Sequence, residues 1–313
     1  MPGYRRFPGE LHGRHLRVRR FAGPLDHVTR LSRPIRVAHL SDQHVGRVTP
    51  LPVQQAAIAA VNAQKPDLVL LTGDYVCHSL DYLDQLESLL CELKAPAFAV
   101  LGNHDHWSGA WEVRRTLHRA GVTLLDNAHT TVRIGSDRLQ LVGLDDAYTG
   151  HADSRKALRG LRPDLPAIGL SHIAEEAPRL WRAGVPLVLS GHTHSGHIAV
   201  ARLHHLLIGH AAGHRYVHGL YGDRGAGEEG ALYVSAGIGA SVFGLRVGER
   251  ARREVTLFDL GVQPGLYPEH HTEQIALPGR PVSLRKQKKR EEQVRRKAWT
   301  RRSRRNPTDP TSS

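Results

Sequence analysis

Four short motifs contain the side chains of this sequence that are best suited to bind metal ions. Each motif follows a short apolar run that predicts a strand. Asp42 and His44 are two residues apart, so in an extended segment both side chains point the same way and can bind one ion. With one further histidine, the candidate ligands are Asp42, His44, Asp74, Asn103, His172, His192 and His194.

Asp74 has the features of a ligand that bridges two ions. It is a lone carboxylate directly after the apolar run 68–73, and two divalent ions about 3.5–4 Å apart need a shared ligand. Asn103 adds an oxygen ligand without adding charge. With Asp42 and Asp74 as the only anionic ligands, two divalent ions keep a formal positive surplus that can hold a hydroxide and an anionic phosphate. The sequence therefore predicts a two-metal hydrolytic site.

The elements that must position these residues alternate between strand and helix. Apolar runs and spacing predict strands at 35–40, 68–71, 97–101, 139–144, 167–170, 185–189, 232–235 and 255–260, with short strands near Val132 and Ile198. Helices are predicted at 53–63, 80–93, 110–120, 154–161 and 174–183. Because the candidate ligands follow strands, where open α/β sheets place their sites, the pattern predicts an α/β fold.

The motif order DxH, GD, GNHD, lone His and GHTH, from Asp42 to His194, resembles that of the calcineurin-like metallophosphoesterases. The resemblance covers roughly residues 35–260 and is nearest to a bacterial branch that reads GHTHGGQ. It implies a four-layer α/β/β/α sandwich that binds two divalent metal ions, Mn, Fe or Zn. By this likeness one ion is bound by Asp42, His44, Asp74 and His194, and the other by Asp74, Asn103, His172 and His192.

The resemblance also implies roles for two residues that bind no metal. A hydroxide held between the ions would attack phosphorus in line, and His104, oriented by Asp105, would donate a proton to the leaving oxygen. After GHTH the chain departs from the branch, since Ser195-Gly196-His197 replaces Gly-Gly-Gln. This departure bears on the substrate, so the substrate-binding residues stay unassigned.

Charge locates the domain edges. The chain has a net charge of +13, of which residues 1–34 carry +6 and residues 280–313 carry +10, so the middle is slightly acidic. The last segment has almost no aliphatic residues and cannot bury a core. We predict a basic N-terminal extension at 1–34, a metallophosphoesterase domain at 35–262, and at 263–313 a linker and a basic, disordered tail. The tails offer surfaces for an anionic membrane or nucleic acid.

The remaining composition favours a cytoplasmic protein, with peripheral attachment to a membrane left open. Only two cysteines occur, Cys77 and Cys91, which argues against a disulfide scaffold. No run of 18 apolar residues is present, so no transmembrane segment is predicted. The histidine-rich segment 203–221 is interpreted as a wall of the substrate pocket in preference to a third metal site.

Together these features predict a metal-dependent phosphoesterase that hydrolyses a phosphomonoester or phosphodiester, with nucleotide-linked and lipid-linked substrates both open. Two alternatives also remain open: a nuclease or nucleic-acid phosphodiesterase that uses the basic tails, and a catalytically silent binding scaffold. Salt-sensitive cleavage of DNA or RNA would favour the nuclease. A metal-loaded protein that is inert on every phosphoester would favour the scaffold.

Overall fold

The computed structural model describes residues 16–194, 213–225, 230–239, 252–267, 274 and 276–277. Twelve strands in these residues form two six-stranded sheets. The strands are β1 (Leu16–Ala22), β2 (Ile35–Leu40), β3 (Leu68–Thr72), β4 (Ala97–Val100), β5 (Thr123–Leu124), β6 (Ala128–Ile134), β7 (Asp137–Leu144), β8 (Ala167–Ser171), β9 (Leu187–Ser190), β10 (Gly219–Gly222), β11 (Ala231–Val234) and β12 (Arg253–Leu260). The first sheet has the order β1-β12-β2-β3-β4-β5 and the second the order β10-β11-β9-β8-β7-β6.

The helices of the described residues connect these strands. They are α1 (Leu25–Arg30), α2 (Leu51–Ala63), α3 (Leu83–Cys91), α4 (Asn103–Arg119), α5 (Ser154–Leu158) and α6 (Ala177–Trp181), the last preceded by a 3₁₀ turn at Ala174–Glu176. The predicted strands are confirmed except the one near Ile198, which lies outside the described residues. Helix α4 begins seven residues before its predicted start, and it is broken at Gly109.

The strands have continuous apolar runs because both of their faces are buried. In β3, Leu68 and Leu70 pack between the two sheets, whereas Val69 and Leu71 pack against the outer helices. This alternation follows from the two-residue period of a strand. Side chains of α2, α3 and α4 cover the first sheet, and those of α5 and α6 cover the second. The four-layer α/β/β/α architecture is thus confirmed.

The folded domain begins before residue 35, which corrects the predicted N-terminal boundary. Strand β1, within the predicted extension, pairs in parallel with β12 from Leu16 opposite Arg253 to Ala22 opposite Asp259. The net charge of residues 1–34 led to their prediction as an extension outside the domain. Phe21 is nevertheless fully buried between the sheets. The structure also adds α1 and β10, which the sequence patterns did not predict.

A buried carboxylate joins β1 to the second sheet. Glu254 of β12 accepts hydrogen bonds from the Arg19 guanidinium at 2.5 Å and from the Tyr233 hydroxyl at 2.9 Å. The amide of Ala236 donates to it at 2.9 Å, and His218 Nε2 lies 3.3 Å away. Burial opposes ionisation, yet His218 and Arg19 hold the pKa of Glu254 well below its usual value. The carboxylate therefore stays charged inside the protein.

We expect Glu254→Gln to lower the free energy of unfolding by about 3–5 kcal/mol, because it leaves the Arg19 charge buried without a counter-ion. Urea denaturation at neutral pH measures this loss. The matched control is Glu87→Gln, which removes the partner of Arg119 from a more exposed ion pair and should cost under about 1 kcal/mol. Equal losses in the two variants would contradict the prediction.

The direction of the Glu254 pKa shift determines how its contribution to stability depends on pH. The pKa of Glu254 is lower in the folded protein than in the unfolded chain. The ionised Glu254 side chain therefore contributes fully to the free energy of unfolding above the unfolded-state pKa. This contribution is lost as the pH falls through the folded-state pKa. The stability difference between the wild type and Glu254→Gln should consequently shrink only in acid.

Two further findings concern the cysteines and the apolar character of the helices. Cys77 and Cys91 are both free cysteines. In the part of the chain that the structure describes, no helix has the length and apolar character needed to cross a membrane.

Candidate metal centre

The predicted ligands lie at the carboxyl ends of strands from both sheets. Asp42 and His44 follow β2, Asp74 follows β3, and Asn103 is the first residue of α4 after β4. In the second sheet the loops after β8 and β9 carry the remaining histidines, His172, His192 and His194. Because the sheets pack face to face, these loops meet at one edge of the sandwich.

The structure brings all seven predicted ligands together around Asp74. The first ligand group consists of Asp42, His44, Asp74 and His194, and all four residues are buried. The second ligand group consists of Asp74, His172 and His192, with Asn103 in contact with both of its histidines. Within each group the carboxylate and imidazole ligand atoms lie within 4.8 Å of one another. Asp74 belongs to both groups.

The first ligand group has the geometry of a cation site. The Nε2 atoms of His44 and His194 are 2.9 Å apart. His194 Nε2 is 3.4 Å from Asp42 Oδ1, and His44 Nε2 is 3.5 Å from Asp74 Oδ2. Buried imidazole nitrogens and carboxylate oxygens that converge in this way suit a shared divalent cation, since such mixed sites accept several transition metals.

The second ligand group is oriented by the backbone. His172 Nδ1 lies 2.7 Å from the Thr72 carbonyl oxygen, so Nδ1 donates to this carbonyl and Nε2 points towards Asp74 and Asn103. His172 Nε2 is 3.3 Å from Asp74 Oδ2 and 3.2 Å from Asn103 Oδ1. Asn103 Oδ1 is also 2.8 Å from His192 Nδ1. This donor set likewise fits a divalent metal ion.

The electrostatics of the centre show a concentration of negative charge that attracts cations. Burial, with Asp74 nearby, raises the pKa of Asp42 to about 6. Burial opposes protonation of His172, but Asp74 and Asp42 outweigh it and raise its pKa to about 10. Burial, together with His172, lowers the pKa of His192 well below its usual value. The His192 imidazole is thus neutral, as metal binding requires.

Backbone conformation distinguishes the ligand loops from ordinary turns. Five candidate ligands have positive φ angles: Asp42 (50°), His44 (44°), Asp74 (57°), His192 (77°) and His194 (49°). Left-handed conformations are uncommon for residues with a Cβ atom and cost about 1–3 kcal/mol each. Such strained residues concentrate at functional sites, where the surrounding structure holds them.

Two glycines of the motifs are required by close approach to the carboxylates. A Cβ atom at Gly102 would lie 2.3 Å from Asp74 Oδ1. A Cβ atom at Gly191 would lie 1.9 Å from the Ser41 hydroxyl and 2.3 Å from Asp42 Oδ2. Any side chain at either position would displace a candidate metal ligand.

Asp105 differs from its expected role. Its carboxylate accepts hydrogen bonds from the backbone amides of Asp74, Tyr75, Val76 and Gly102 at 2.8–3.2 Å. The described residues include no hydrogen bond from Asp105 to the His104 ring, and the buried Nδ1 atom of His104 has no partner. Asp105 therefore ties the loop that carries Asp74 to the loop that begins α4, instead of orienting His104.

His104 lies beside the first ligand group without belonging to it. Its backbone amide donates to Asp74 Oδ1 at 2.9 Å, and its ring centroid is 4.8 Å from that of His44. Burial lowers the pKa of His104, although Asp74 opposes the shift. Cys77 forms a third close group with His44 and His104. Burial raises the pKa of its thiol, so the thiolate that binds metals is disfavoured.

The histidine-rich segment is only partly described. His214 approaches the centre, with its ring centroid 5.0 Å from that of His192, and its Nδ1 is 3.2 Å from Glu175 Oε1. His218 instead contacts Glu254 in the core. His204, His205 and His210 lie outside the described residues. Sequence reasoning also missed Trp107 and Tyr148, whose rings border the centre and which no motif indicated.

The family comparison agrees with this geometry. Residues 35–196 match the calcineurin-like phosphoesterase family, a range that contains all seven candidate ligands. The chain belongs to the calcineurin-like phosphoesterases and is a hydrolase that acts on phosphoric ester bonds.

Three relatives illustrate the breadth of the family. The chain is 34% identical over 240 residues to phosphodiesterase YaeI of Escherichia coli (strain K12), covering 72% of this chain and 82% of the relative. It is 30% identical over 231 residues to the uncharacterized metallophosphoesterase YkuE of Bacillus subtilis (strain 168), covering 72% and 78%. It is 26% identical over 217 residues to UDP-2,3-diacylglucosamine pyrophosphatase LpxG of Chlamydia muridarum (strain MoPn / Nigg), covering 53% and 65%.

Proposed function

We propose that this protein is a phosphodiesterase that uses two divalent metal ions. The main support for this proposal is the position of the Asp74 carboxylate, which belongs to both ligand groups. A ligand that bridges two ions must occupy such a position. The first ligand group would hold one ion. The second group, with Asn103, would hold the other.

Two bound cations supply charge neutralisation at the phosphoryl group and activation of a water molecule as nucleophile. The substrate phosphate would bind at these cations, beside the candidate ligands that hold them. His104 is the candidate proton donor to the leaving oxygen, because it lies beside the first ligand group without belonging to either of the two groups that contain Asp74. Its Nδ1 is buried, so the proton would pass from Nε2.

A diester is the favoured substrate because the relative at 34% identity is named a phosphodiesterase. The test is steady-state turnover of bis(p-nitrophenyl) phosphate and p-nitrophenyl phosphate by the full chain with added Mn, Fe or Zn. We expect metal-dependent hydrolysis that is faster on the diester. Metal-loaded protein that hydrolyses neither compound would overturn the proposal and favour a binding scaffold. Salt-sensitive cleavage of DNA or RNA in preference to both would favour the nuclease.

We also propose that the basic C-terminal tail attaches the enzyme to an anionic surface. Residues 280–313 lie outside the described residues, and the support is their net charge of +10. Deleting them should leave turnover of a small soluble diester within about two-fold. The same deletion should abolish most salt-sensitive binding to anionic liposomes or nucleic acid, because each cation contributes about 1 kcal/mol near a lipid surface.

Co-sedimentation with liposomes and gel-shift assays with DNA, each at low and moderate salt, identify the surface. The matched control is deletion of 306–313, which removes no lysine or arginine and should retain binding. If the 280–313 deletion binds both surfaces as tightly as the full chain, the tail has no attachment role.

A further inference from the structure

Two aromatic side chains form a corner at the edge of the metal centre. The ring centroid of Trp107 is 5.0 Å from that of His104 and 5.9 Å from that of Tyr148, at an interplanar angle of 78°. Tyr148 in turn lies 5.2 Å from the ring of His192. The corner formed by Trp107 and Tyr148 therefore links the proposed proton donor to a ligand of the second group.

Trp107 has an exposed aromatic surface. It is 41% accessible, so part of its apolar aromatic surface stays in contact with water, which is unfavourable. Trp107 belongs to none of the three clusters of buried core residues. Its ring contacts are with His104 and Tyr148. The exposed aromatic surface thus lies directly beside the centre, where it is available to a substrate.

Two carboxylates next to this corner already accept hydrogen bonds from neighbouring residues. Asp145 accepts from Arg114 at 3.1 Å, and His106 Nε2 lies 2.7 Å from it. Asp146 accepts from the amide and hydroxyl of Thr149. These carboxylates are therefore already engaged by neighbouring groups, whereas the exposed surface of Trp107 is aromatic.

We infer that Trp107 and Tyr148 form a subsite for a planar aromatic ring, a nucleobase or an aryl group, on the leaving-group side of the phosphoester. The inference rests on the proposed function. Two rings at a steep angle let a third ring stack on one and meet the other edge to face, both of which are favourable geometries. The leaving-group side follows from the contact of Trp107 with His104. A flexible alkyl chain gains no comparable geometric preference.

The test compares ligands that differ only by the ring. Isothermal titration calorimetry of the Mn-loaded full chain measures the dissociation constants of adenosine 5′-monophosphate and ribose 5-phosphate, and of phenyl phosphate and methyl phosphate. We expect the ring to tighten binding about ten-fold in the first pair, since one stacked base contributes this order of affinity. A similar gain in the second pair identifies an aryl subsite, and a gain in the first alone identifies a nucleobase subsite.

Substitution then locates the effect. Trp107→Ala should reduce the ring-dependent gain to about two-fold or less and leave ribose 5-phosphate binding unchanged, while Trp107→Phe should keep part of the gain. Trp111→Ala is the matched control. Trp111 is also an exposed tryptophan of α4, and its ring is covered by Arg115. The ring-dependent gain in affinity should persist in Trp111→Ala.

Three results would overturn the inference: an undiminished gain in Trp107→Ala, an equal loss in Trp111→Ala, or tighter binding of decyl phosphate than of either ring compound. Metal content and the circular dichroism spectrum confirm that each variant is folded and loaded. Calorimetry measures binding without requiring turnover. The aromatic subsite and the phosphodiesterase activity can therefore be refuted independently of each other. Diester hydrolysis without a ring-dependent gain removes only the subsite, and ring-dependent binding without hydrolysis removes only the phosphodiesterase.

Discussion

Asp74→Asn is expected to lose most of the metal from both centres. Asparagine keeps the shape of the side chain and an oxygen that can accept the His104 amide hydrogen bond, but it removes the charge shared by both ligand groups. Loss of a charged bridging ligand should weaken each site by more than the roughly 10–100-fold cost of an outer-shell change. Inductively coupled plasma mass spectrometry of protein dialysed without free metal measures the stoichiometry.

His44→Ala is the matched comparison for Asp74→Asn. His44 belongs to the first ligand group and not to the second, so its loss should mainly empty one centre and leave about one equivalent of metal bound. Both variants must retain the thermal unfolding transition of a folded protein. Two full equivalents in purified Asp74→Asn would show that Asp74 does not bridge the ions.

His104→Ala should retain both metals and lose roughly 10²–10⁴-fold in turnover of a diester with an alkoxide leaving group, the usual contribution of a general acid. Its ring lies beside the first ligand group without contributing to the two predicted ligand sets. A p-nitrophenolate leaving group needs little protonation, so the loss should be much smaller for that substrate. The measurement is kcat for the two substrates together with metal content.

His78→Ala provides the control for His104→Ala. The His78 ring is 4.6 Å from that of His104, and His78 belongs to none of the candidate ligand groups found among the described residues. Its removal should change turnover of both substrates by less than about ten-fold. Equal losses in His104→Ala for both leaving groups would assign His104 to phosphate binding in place of proton donation.

The candidate ligands could be predicted from the sequence because their signals are local. Strands buried on both faces produce continuous apolar runs, so β2, β3, β4 and β8 were recognisable without any tertiary information. The i, i+2 spacing of Asp42 and His44 suggested convergence on one ion. The structure places these two side chains in the first ligand group, although both residues have left-handed backbones instead of extended ones.

Asp105 shows where local reasoning fails. Its position next to His104 in the chain suggested that it orients that ring. In the folded protein its oxygens accept four backbone amides, three of them from residues 74–76 about thirty positions earlier. A hydrogen bond of this kind depends on how two loops pack, and no sequence spacing encodes that packing.

What the sequence by itself determined is the set of candidate metal ligands, the strands that precede them and the layered α/β class of the fold, since each follows from residue type and short-range periodicity. The tertiary structure alone decided that the basic segment Leu16–Ala22 pairs with β12, that His218 contacts Glu254 in the core, and that Trp107 and Tyr148 meet beside the centre. These contacts join residues far apart in the chain, and their free energy is realised only when two sheets and their loops pack together.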